Sequence, residues 1–402
     1  MRVYQLNTFC GIKSTGRITT SIAAVLQNQN SSCKIGYGVE PVPEQWKSIS
    51  YKVGSKFERK LHGAIRKYFD GEGYGSLFAT KKLIKDIESF SPDIIHLHNI
   101  HGCYLNFSIL FSYLKKINIP IVWTFHDCWA FTGHCAYFEG AECYKWLKLC
   151  KKCPQQYSYP INKGLDGSKR NYIHKKNLFL KLENLTIVTP SNWLSKYVKM
   201  SFFNKYRTEV IINGVDISVF YPRQINCNAV NSLLGKKKIV LSVASEWDER
   251  KGLEYLVKAY EILKNTHDFV IIGLTAEQVN SLPSGIIGIQ HTQNVDELAN
   301  YYSIADCFAN PTLEDNMPMV NLEALACGTP IAVFNTGGCP EVVDEKTGIV
   351  VDKKDIKAFI KAIIILSEQK NNRSNDCQNK AKQLSDSSSF AKYVSLYKEL
   401  IK

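Results

Sequence analysis

The fold is decided by residues 305–334, which read ADCFANPTLEDNMPMVNLEALACGTPIAVF. Two short apolar runs, at 305–309 and 330–334, flank a stretch of helical spacing. Pro318 suits the first turn of a helix, and Gly328 suits the position just past its end. A strand, a helix and a second strand in this order predict a βαβ unit with parallel strands.

The same alternation runs along most of the 402 residues. The further strand candidates are short, rich in β-branched residues and free of polar alternation, which is typical of parallel strands buried on both faces. They are residues 3–6, 33–37, 94–97, 120–125, 186–189, 209–212, 239–244 and 269–272. Residues 253–263 and 296–303 show helical periodicity between them.

This length exceeds one ordinary core, so the pattern predicts an α/β protein of two domains, each a parallel sheet with helices on both faces. We expect an N-terminal domain over 1–205 and a C-terminal domain over 206–385. Residues 386–402 have apolar residues at helical spacing and predict a closing amphipathic helix.

The formal charge of +13 suggests an anionic partner. The Lys and Arg residues are spread along the chain and no nucleic-acid motif accompanies them, so we expect no nucleic acid. A solvated basic surface and contact with anionic lipid headgroups both stay open. The N-terminus lacks the apolar core of a signal peptide, and no window approaches the ~20 apolar residues of a membrane span. We therefore expect a cytoplasmic protein, with peripheral contact at the inner membrane left open.

In open α/β sheets, ligands bind outside the carboxyl ends of the strands. The first strand candidate is followed by Gly11 and Gly16, in a loop that opens a helix and could receive an anion. The spacing is not GxGxxG, and an ordinary strand-to-helix turn would look the same. Histidines gather at two other strand ends, and they are His96, His98, His101 and His126. Isolated histidines are mostly structural, but this clustering favours a functional role, above all for His126.

The C-terminal half has charged residues at the same edge. Arg250 and Lys251 stand at a helix start, where adjacent cations could clamp a diphosphate, although a surface turn would look similar. Asp315 lies in an acidic loop, and Glu323 lies among apolar helix residues. An inward carboxylate needs hydrogen-bond donors, and sugar or ribose hydroxyls are suitable ones.

A second glycine turn, Gly337-Gly338, follows the strand at 330–334. Carboxylates suit hydroxyl groups, and cations with backbone amides suit phosphates. The C-terminal half therefore predicts a nucleotide-sugar pocket.

Thirteen cysteines fall into two groups. Nine lie in mostly apolar contexts that suit buried free thiols, namely Cys10, Cys33, Cys103, Cys128, Cys227, Cys307, Cys327, Cys339 and Cys377. The other four follow the pattern C-x7-C-x6-C-x2-C within an insertion at about 128–160, and they are Cys135, Cys143, Cys150 and Cys153. Four thiolates at this spacing suit a structural, tetrahedral Zn²⁺. Reduced free thiols or a redox pair are the alternatives.

Two motifs resemble glycosyltransferase family 4, the retaining enzymes with the GT-B fold. They are LEALACGTP at 322–330 and HDCWAFTGHC at 126–135, the second similar to a branch of bacterial capsule and exopolysaccharide enzymes. The resemblance implies two Rossmann-like domains, with the last helix crossing back to the N-terminal one. It also implies an acceptor-side N-terminal domain and a donor-binding C-terminal domain.

The resemblance also implies roles for single residues. The family's two glutamates, touching the donor sugar and the ribose, fall on Asp315 and Glu323 here. Lys251 matches the phosphate-binding lysine, whereas the usual arginine slot is Glu246 and Arg250 would replace it. His126 matches the histidine that approaches the transferred sugar. The family works without a required metal and without a covalent protein intermediate.

The expected function is transfer of a hexose or N-acetylhexosamine from a UDP- or GDP-sugar to a lipid-linked or saccharide acceptor. An epimerase or phosphorylase on the same fold is one alternative. A zinc-bearing nucleic-acid-binding protein is another, but it leaves Asp315 and Glu323 without a role.

Overall fold

The structure is a computed structural model that describes residues 1–223 and 237–402, so Cys227 lies outside the described residues. The chain divides into two compact units. The first unit comprises Met1–Ile212 with Phe390–Lys402, and the second comprises Asn213–Ser389.

The first unit is built on a parallel sheet of seven strands in the order β3-β2-β1-β4-β5-β6-β7. The strands are β1 Arg2–Phe9, β2 Ser32–Val39, β3 Ser50–Lys52, β4 Ile94–Leu97, β5 Ile121–Thr124, β6 Leu185–Thr189 and β7 Arg207–Val210. The helices between them are α1 Lys13–Asn28, α2 Lys56–Phe69, α3 Leu77–Phe90, α4 Phe107–Leu114, α5 Ser168–Phe179 and α6 Asn192–Met200.

The second unit repeats this plan with a parallel sheet of six strands in the order β10-β9-β8-β11-β12-β13. The strands are β8 Lys238–Val243, β9 His267–Ile272, β10 Ile286–Ile289, β11 Cys307–Asn310, β12 Ile331–Phe334 and β13 Gly348–Val351. The remaining helices are α7 Leu253–Leu263, α8 Ala276–Ser281, α9 Val295–Ile304, α10 Met319–Ala326, α11 Ile356–Gln383 and α12 Asp386–Leu400.

Both faces of the first sheet are covered because successive strand residues point to opposite sides. Val3 packs with α1 and the C-terminal part of α12 in one apolar cluster. Its neighbour Tyr4 packs with α3 and α4 in another cluster on the opposite face. The predicted class, two Rossmann-like α/β domains with parallel sheets, is confirmed.

The βαβ unit predicted from residues 305–334 is confirmed as β11, α10 and β12. The strand predicted at 209–212 is wrong by two residues, since β7 is Arg207–Val210. Sequence reasoning missed the strands β3, β10 and β13, which are all short and lie at sheet edges. An edge strand is half exposed and lacks the long apolar run that marks a central strand.

Residues 390–402 belong to the first unit and are tied to it by two buried tyrosines of α12. The Tyr397 hydroxyl lies 2.6 Å from Nδ1 of His96, and the Tyr393 hydroxyl lies 3.1 Å from Oγ1 of Thr124. Nε2 of His96 lies 2.8 Å from the same Thr124 oxygen. The helix therefore adds polar bonds in a buried layer, beyond its apolar packing.

No helix in the described ranges has both the length and the apolar character needed to cross a bilayer.

We predict that Tyr397→Phe lowers the free energy of unfolding by about 1–3 kcal/mol, because it leaves Nδ1 of His96 buried without its partner. Urea denaturation measures the change. Tyr157→Phe is the matched control, since Tyr157 is 72% exposed and should change stability little. Equal stability of Tyr397→Phe and the native chain would contradict the proposed coupling.

Candidate functional site

Each sheet has one point where the strand order reverses, between β1 and β4 in the first unit and between β8 and β11 in the second. At such a switch point the connections leave in opposite directions and open a crevice at the carboxyl ends of the strands. Gly11, His98, Lys251 and Asp315 lie in the loops that follow these four strands, and His126, Glu323 and Gly337 lie on the neighbouring elements.

In the second unit, Lys251 follows β8 and Asp315 follows β11, and the two form an ion pair across the switch point. The Lys251 Nζ lies 2.5 Å from Oδ2 of Asp315, with side chains 17% and 13% exposed. Burial alone would raise the pKa of Asp315, but Lys251, Arg250 and the N–H of Asn316 together lower it. Asp315 is therefore ionised at neutral pH and faces Lys251 in a crevice that is mostly shielded from water.

Arg250 holds the same two loops together. Its guanidinium donates to the carbonyl of Glu314 at 2.7 Å and lies 4.0 Å from Oδ2 of Asp315. The Arg250 carbonyl in turn accepts from the N–H of Leu313 at 2.7 Å. The loop after β8 and the loop after β11 thus position each other.

Two glycines make this close approach sterically feasible. Gly252 has a φ of +74°, and a Cβ there would lie 2.2 Å from the Pro311 carbonyl oxygen. Gly337 has a φ of +58°, and a Cβ would lie 1.6 Å from the carbonyl oxygen of Asp315. Its neighbour Gly338 donates its N–H to that same oxygen at 3.3 Å. The structure therefore brings Arg250, Lys251, Asp315 and the Gly337-Gly338 turn together.

Glu323 lies on α10, is 2% exposed and accepts a hydrogen bond from the Tyr302 hydroxyl at 3.0 Å. Tyr302 was missed by sequence reasoning, because it comes from α9 and its pairing with Glu323 depends on helix packing. Asn321 on the same helix accepts from Nδ2 of Asn310 at 2.8 Å. The Nδ2 of Asn321 is buried and lacks an acceptor among the described residues. This helix thus carries a buried carboxylate and a buried donor.

In the first unit, three residues form a hydrogen-bonded chain at the ends of β4 and β5. Nε2 of Gln5 donates to the carbonyl of Thr19 at 2.9 Å, which points Oε1 of Gln5 toward His98. Nε2 of His98 lies 3.0 Å from that oxygen and must donate to it. Nδ1 of His98 then accepts from Nε2–H of His126 at 3.1 Å. This network assigns the His126 proton to Nε2 and its lone pair to Nδ1.

Burial keeps these imidazoles neutral. It lowers the pKa of His96 and of His98 well below the usual range, and neighbouring imidazoles lower them further. The pKa of His126 is lowered to about 4, again mainly by burial. The rings of His96 and His98 lie only 3.9 Å apart, so a charge on either would repel the other. The first unit therefore offers neutral polar groups at its switch point.

A hydrogen-bonded contact between His101 and Asp127 lies beside this chain. Nε2 of His101 is 3.1 Å from Oδ2 of Asp127, and Nδ1 of His101 is 3.3 Å from the Tyr159 hydroxyl. Although burial acts to raise the pKa of Asp127, the neighbouring His101 and the Trp129 N–H lower it. A cavity of about 10 Å³ lies between His98, His126 and Asp127.

Gly11 and Gly16 form a tight loop after β1, closed by a 3.0 Å bond from the Gly11 N–H to the Gly16 carbonyl. Gly11 has a φ of +72°, and a Cβ there would meet Pro43 and Trp46 at 2.9 and 3.1 Å. Internal packing alone therefore accounts for the glycine at position 11.

The four-cysteine segment is held by buried polar contacts. Nδ1 of His134 lies 2.7 Å from Oδ1 of Asp70, and the N–H of Gly133 donates to the Cys150 sulfur at 3.2 Å. The Cys135 thiol hydrogen-bonds to Cys153, which raises the pKa of Cys135 and lowers that of Cys153. Burial raises the pKa of Cys150 to about 12.

Within the described residues, His62, Glu72 and Cys103 bring their ligand-type atoms within 4.8 Å of one another, a spacing that no three sulfurs of the cysteine segment reach. Protein hydrogen bonds already use this group. Nε2 of His62 accepts from the N–H groups of Gly73 and Gly75, and Oε1 of Glu72 accepts from the N–H of Cys103. This cluster therefore holds neighbouring loops together through hydrogen bonds.

Solved structures with this architecture define the class of the fold as GT-B. The chain is similar to the sucrose-phosphate synthase of Thermosynechococcus elongatus, with a TM-score of 0.70 and 16% identity, over 99% of this chain and 98% of that one. It is also similar to an Anabaena protein crystallised with UDP-glucose, with a TM-score of 0.65 and 14% identity, over 98% and 100% of the two chains.

Two family models match most of the chain. Residues 49–219 match the model described as Glycosyltransferase Family 4, and residues 237–369 match the one described as Glycosyl transferases group 1. The chain belongs to glycosyltransferase family 4.

Two Escherichia coli proteins to which the chain is similar are also named as glycosyltransferases. The colanic acid biosynthesis glycosyl transferase WcaC of strain K12 is 24% identical over 67% of this chain, and the matched stretch is 66% of its own length. A UDP-Gal:alpha-D-GlcNAc-diphosphoundecaprenol alpha-1,3-galactosyltransferase is 28% identical over 46% of this chain. The chain spans 51%, about half, of that enzyme's length.

We predict that stability falls as the pH drops from 7 to 5. The pKa of His126 is about 4 in the folded chain, so the unfolded chain binds more protons between pH 4 and 6.5 and stability rises with pH there. This residue alone contributes a loss of roughly 2 kcal/mol between pH 7 and 5. Urea unfolding at both pH values measures the slope.

His126→Gln should remove part of this pH slope. His291→Gln, at an exposed histidine of the second unit, should keep all of it. An unchanged slope in His126→Gln would contradict burial of a neutral imidazole at this position.

Proposed function

We propose that this chain transfers a hexose or N-acetylhexosamine, with retention of configuration, from a nucleoside diphosphate sugar to a lipid-linked or saccharide acceptor in surface polysaccharide synthesis. The observation that carries the proposal is the Lys251–Asp315 ion pair at the switch point of the second unit, with Arg250 beside it. A switch point is where open α/β sheets bind ligands, and paired cations there suit a diphosphate.

The donor would bind to the second unit, within the predicted domain 206–385. When the sugar leaves, negative charge develops on the diphosphate, and Arg250, Lys251 and the N–H of Gly337 would stabilise it, while the Gly338 N–H keeps its bond to the Asp315 carbonyl. These fixed positive groups make a catalytic metal unnecessary in the proposal. The Anabaena neighbour crystallised with UDP-glucose supports a nucleotide-sugar donor.

The carboxylates would bind hydroxyl groups. We assign Asp315 to the donor sugar, because it already sits beside the proposed phosphate-binding cations. Glu323 would bind the ribose, since its buried carboxylate lies beside the Tyr302 hydroxyl and a carboxylate has up to four accepting positions. His126, which lies at the end of β5 beside His98, would face the transferred sugar.

The acceptor would bind to the first unit, within the predicted domain 1–205. The galactosyltransferase relative is named for a diphosphoundecaprenol acceptor, which supports a lipid-linked acceptor here. Such an acceptor is anchored in a membrane, so the proposal places the chain in the cytoplasm, peripheral to the inner membrane.

We predict that Glu323→Gln and Lys251→Ala each lower the turnover of the donor at least roughly tenfold, or about 1.4 kcal/mol of transition-state stabilisation. Turnover with UDP-, GDP- and ADP-sugars measures this effect and identifies the nucleotide. Product analysis by NMR gives the anomeric configuration and separates transfer from epimerisation and phosphorolysis.

Lys258→Ala is the control, because Lys258 lies on α7 near the site but pairs with Glu254 in an exposed ion pair. Thermal unfolding of each variant shows whether it is folded. Near-normal turnover of both site variants, with Lys258→Ala also active, would refute the site assignment.

We also propose that Cys135, Cys143, Cys150 and Cys153 bind a structural Zn²⁺. Cys135 and Cys153 are already in hydrogen-bond contact, and the Gly133 N–H donates to the Cys150 sulfur, as backbone amides do to metal thiolates. Four sulfur ligands leave no open position on zinc, so the ion would stabilise the segment after His126 and take no part in the reaction.

We expect one zinc ion per chain by elemental analysis of the purified protein. The double variant Cys150→Ser/Cys153→Ser should lose it, because two thiolates bind zinc far more weakly than four. Cys307→Ser, at a buried cysteine of β11, should keep it. Protein without zinc, or a double variant that retains zinc, would refute this site.

A further inference from the structure

Helix α2 turns its apolar side chains outward. Phe57 is 75% exposed, Leu61 is 58% exposed and Tyr68 is 50% exposed, and only His62 of this helix is buried. Residues three and four apart lie on one side of a helix, so Phe57, Leu61, Ala64 and Tyr68 form one stripe. The outer stripe of a helix in a globular protein is ordinarily polar. This reversal needs a partner that covers the stripe.

The apolar surface continues on both sides of α2. Phe78 at the start of α3 is 72% exposed, and Leu165 is 69% exposed. A backbone bond of 2.9 Å from the Leu165 N–H to the Tyr68 carbonyl fixes Leu165 against the end of α2. Ten of the twenty exposed large apolar residues in the described ranges lie within 57–78 and 157–165. A patch concentrated in so little of the chain marks an interaction surface.

The same surface is strongly basic. Helices α2 and α3 carry eight cations, of which Lys56 pairs with Glu40, namely Lys56, Arg59, Lys60, Arg66, Lys67, Lys81, Lys82 and Lys85. Of the three acidic residues between 56 and 85, Asp70 and Glu72 are buried, and Glu58 is used in the capping box of α2 with Ser55. The exposed charge is therefore almost entirely positive.

The start of α2 also lines an open groove of about 640 Å³ between Lys56, Arg59 and Lys60 on one side and Val39, Glu40 and Pro41 on the other. Within the part of the chain that the structure describes, Nε of Arg59 is buried and lacks a hydrogen-bond acceptor, as does Nε of Arg66. Phosphate oxygens are strong acceptors for guanidinium groups.

We propose that this face, which we call the α2 surface (Phe57, Leu61, Tyr68, Phe78 and Leu165 with the eight cations), docks the chain on an anionic lipid bilayer. Aromatic and leucine side chains would enter the boundary between headgroups and acyl chains, and the cations would bind lipid phosphates. A second copy of the chain fits less well, since two α2 surfaces carry the same charge and repel each other. An anionic bilayer supplies both the apolar interior and the opposite charge.

The inference deepens the proposed function, because docking brings the first unit to the layer that holds a lipid-linked acceptor. Binding to lipid is nevertheless measured without donor or acceptor. The two proposals therefore fail separately.

The test is flotation of the full chain with vesicles of phosphatidylcholine alone or mixed with phosphatidylglycerol. We expect binding to the mixed vesicles, weak binding to pure phosphatidylcholine, and release as salt screens the charges. Phe57→Ser/Leu61→Ser should lower the partition coefficient at least roughly tenfold, through loss of apolar burial. Lys60→Glu/Lys67→Glu should lower it by a similar factor and flatten its salt dependence.

Ile262→Ser is the matched control, because Ile262 is 66% exposed on α7 of the second unit and should leave vesicle binding unchanged. The replaced side chains are exposed, except for Lys67, which is half-buried, so little change in thermal unfolding should accompany each variant. Equal binding to both vesicle types, or full binding by the Phe57→Ser/Leu61→Ser variant, would overturn the proposal. Dimers of the native chain in sedimentation that dissociate in this variant would also overturn it, in favour of a second copy.

Binding of UDP-, GDP- and ADP-sugars is measured in parallel by calorimetry. A chain that binds the nucleotide sugar but no vesicle refutes only the α2 surface. A chain that binds mixed vesicles but no nucleotide sugar refutes only the proposed transfer reaction.

Discussion

The second unit depends on one buried ion pair, between Lys251 after β8 and Asp315 after β11. Each charge would be costly to bury alone, and loss of one partner from such a pair destabilises a protein by roughly 3–5 kcal/mol. The pair forms only because β8 and β11 are neighbours and because Gly252 and Gly337 let the loops approach. A buried ion pair is a poor source of net stability, so its value lies in what the lysine can bind. A diphosphate could replace Asp315 as the partner of Lys251, and Arg250, 4.0 Å from Asp315, would then balance the charge of that carboxylate.

The two units share the same sheet architecture, but the residues at their switch points differ in charge. In the second unit the crevice has fixed charges, Arg250 and Lys251 against Asp315. In the first unit the chain from Gln5 through His98 to His126 is neutral, because burial lowers the pKa of both histidines. Fixed cations attract a phosphorylated ligand, whereas neutral imidazoles with assigned protons suit hydroxyl groups. This contrast is a physical basis for separate donor and acceptor sides.

The sequence predicted the features that depend on local pattern. The βαβ unit at 305–334 could be found because its strands are central and its helix has a proline start and a glycine end. The candidate residues could be found because parallel strands bring their carboxyl ends to one edge. The hydrogen-bond partners of these residues could not be found from the sequence. Tyr302 reaches Glu323, and Gln5 reaches His98, only because tertiary packing brings their elements together. The outward stripe of α2 was also hidden, because helical spacing shows that apolar residues share a side and leaves open which way it points.

If Lys251 and Arg250 bind the diphosphate of the donor, the affinity for a nucleotide depends on its number of phosphates. Measuring this dependence is the most direct test of the proposed site. Calorimetry would compare the nucleoside, its monophosphate and its diphosphate, for the base identified by donor turnover, in the native chain and in Lys251→Ala. We expect a steep gain in affinity from monophosphate to diphosphate in the native chain, and a much smaller gain in the variant. An equal gain in both would contradict it, because the second phosphate would then bind somewhere other than the crevice between β8 and β11.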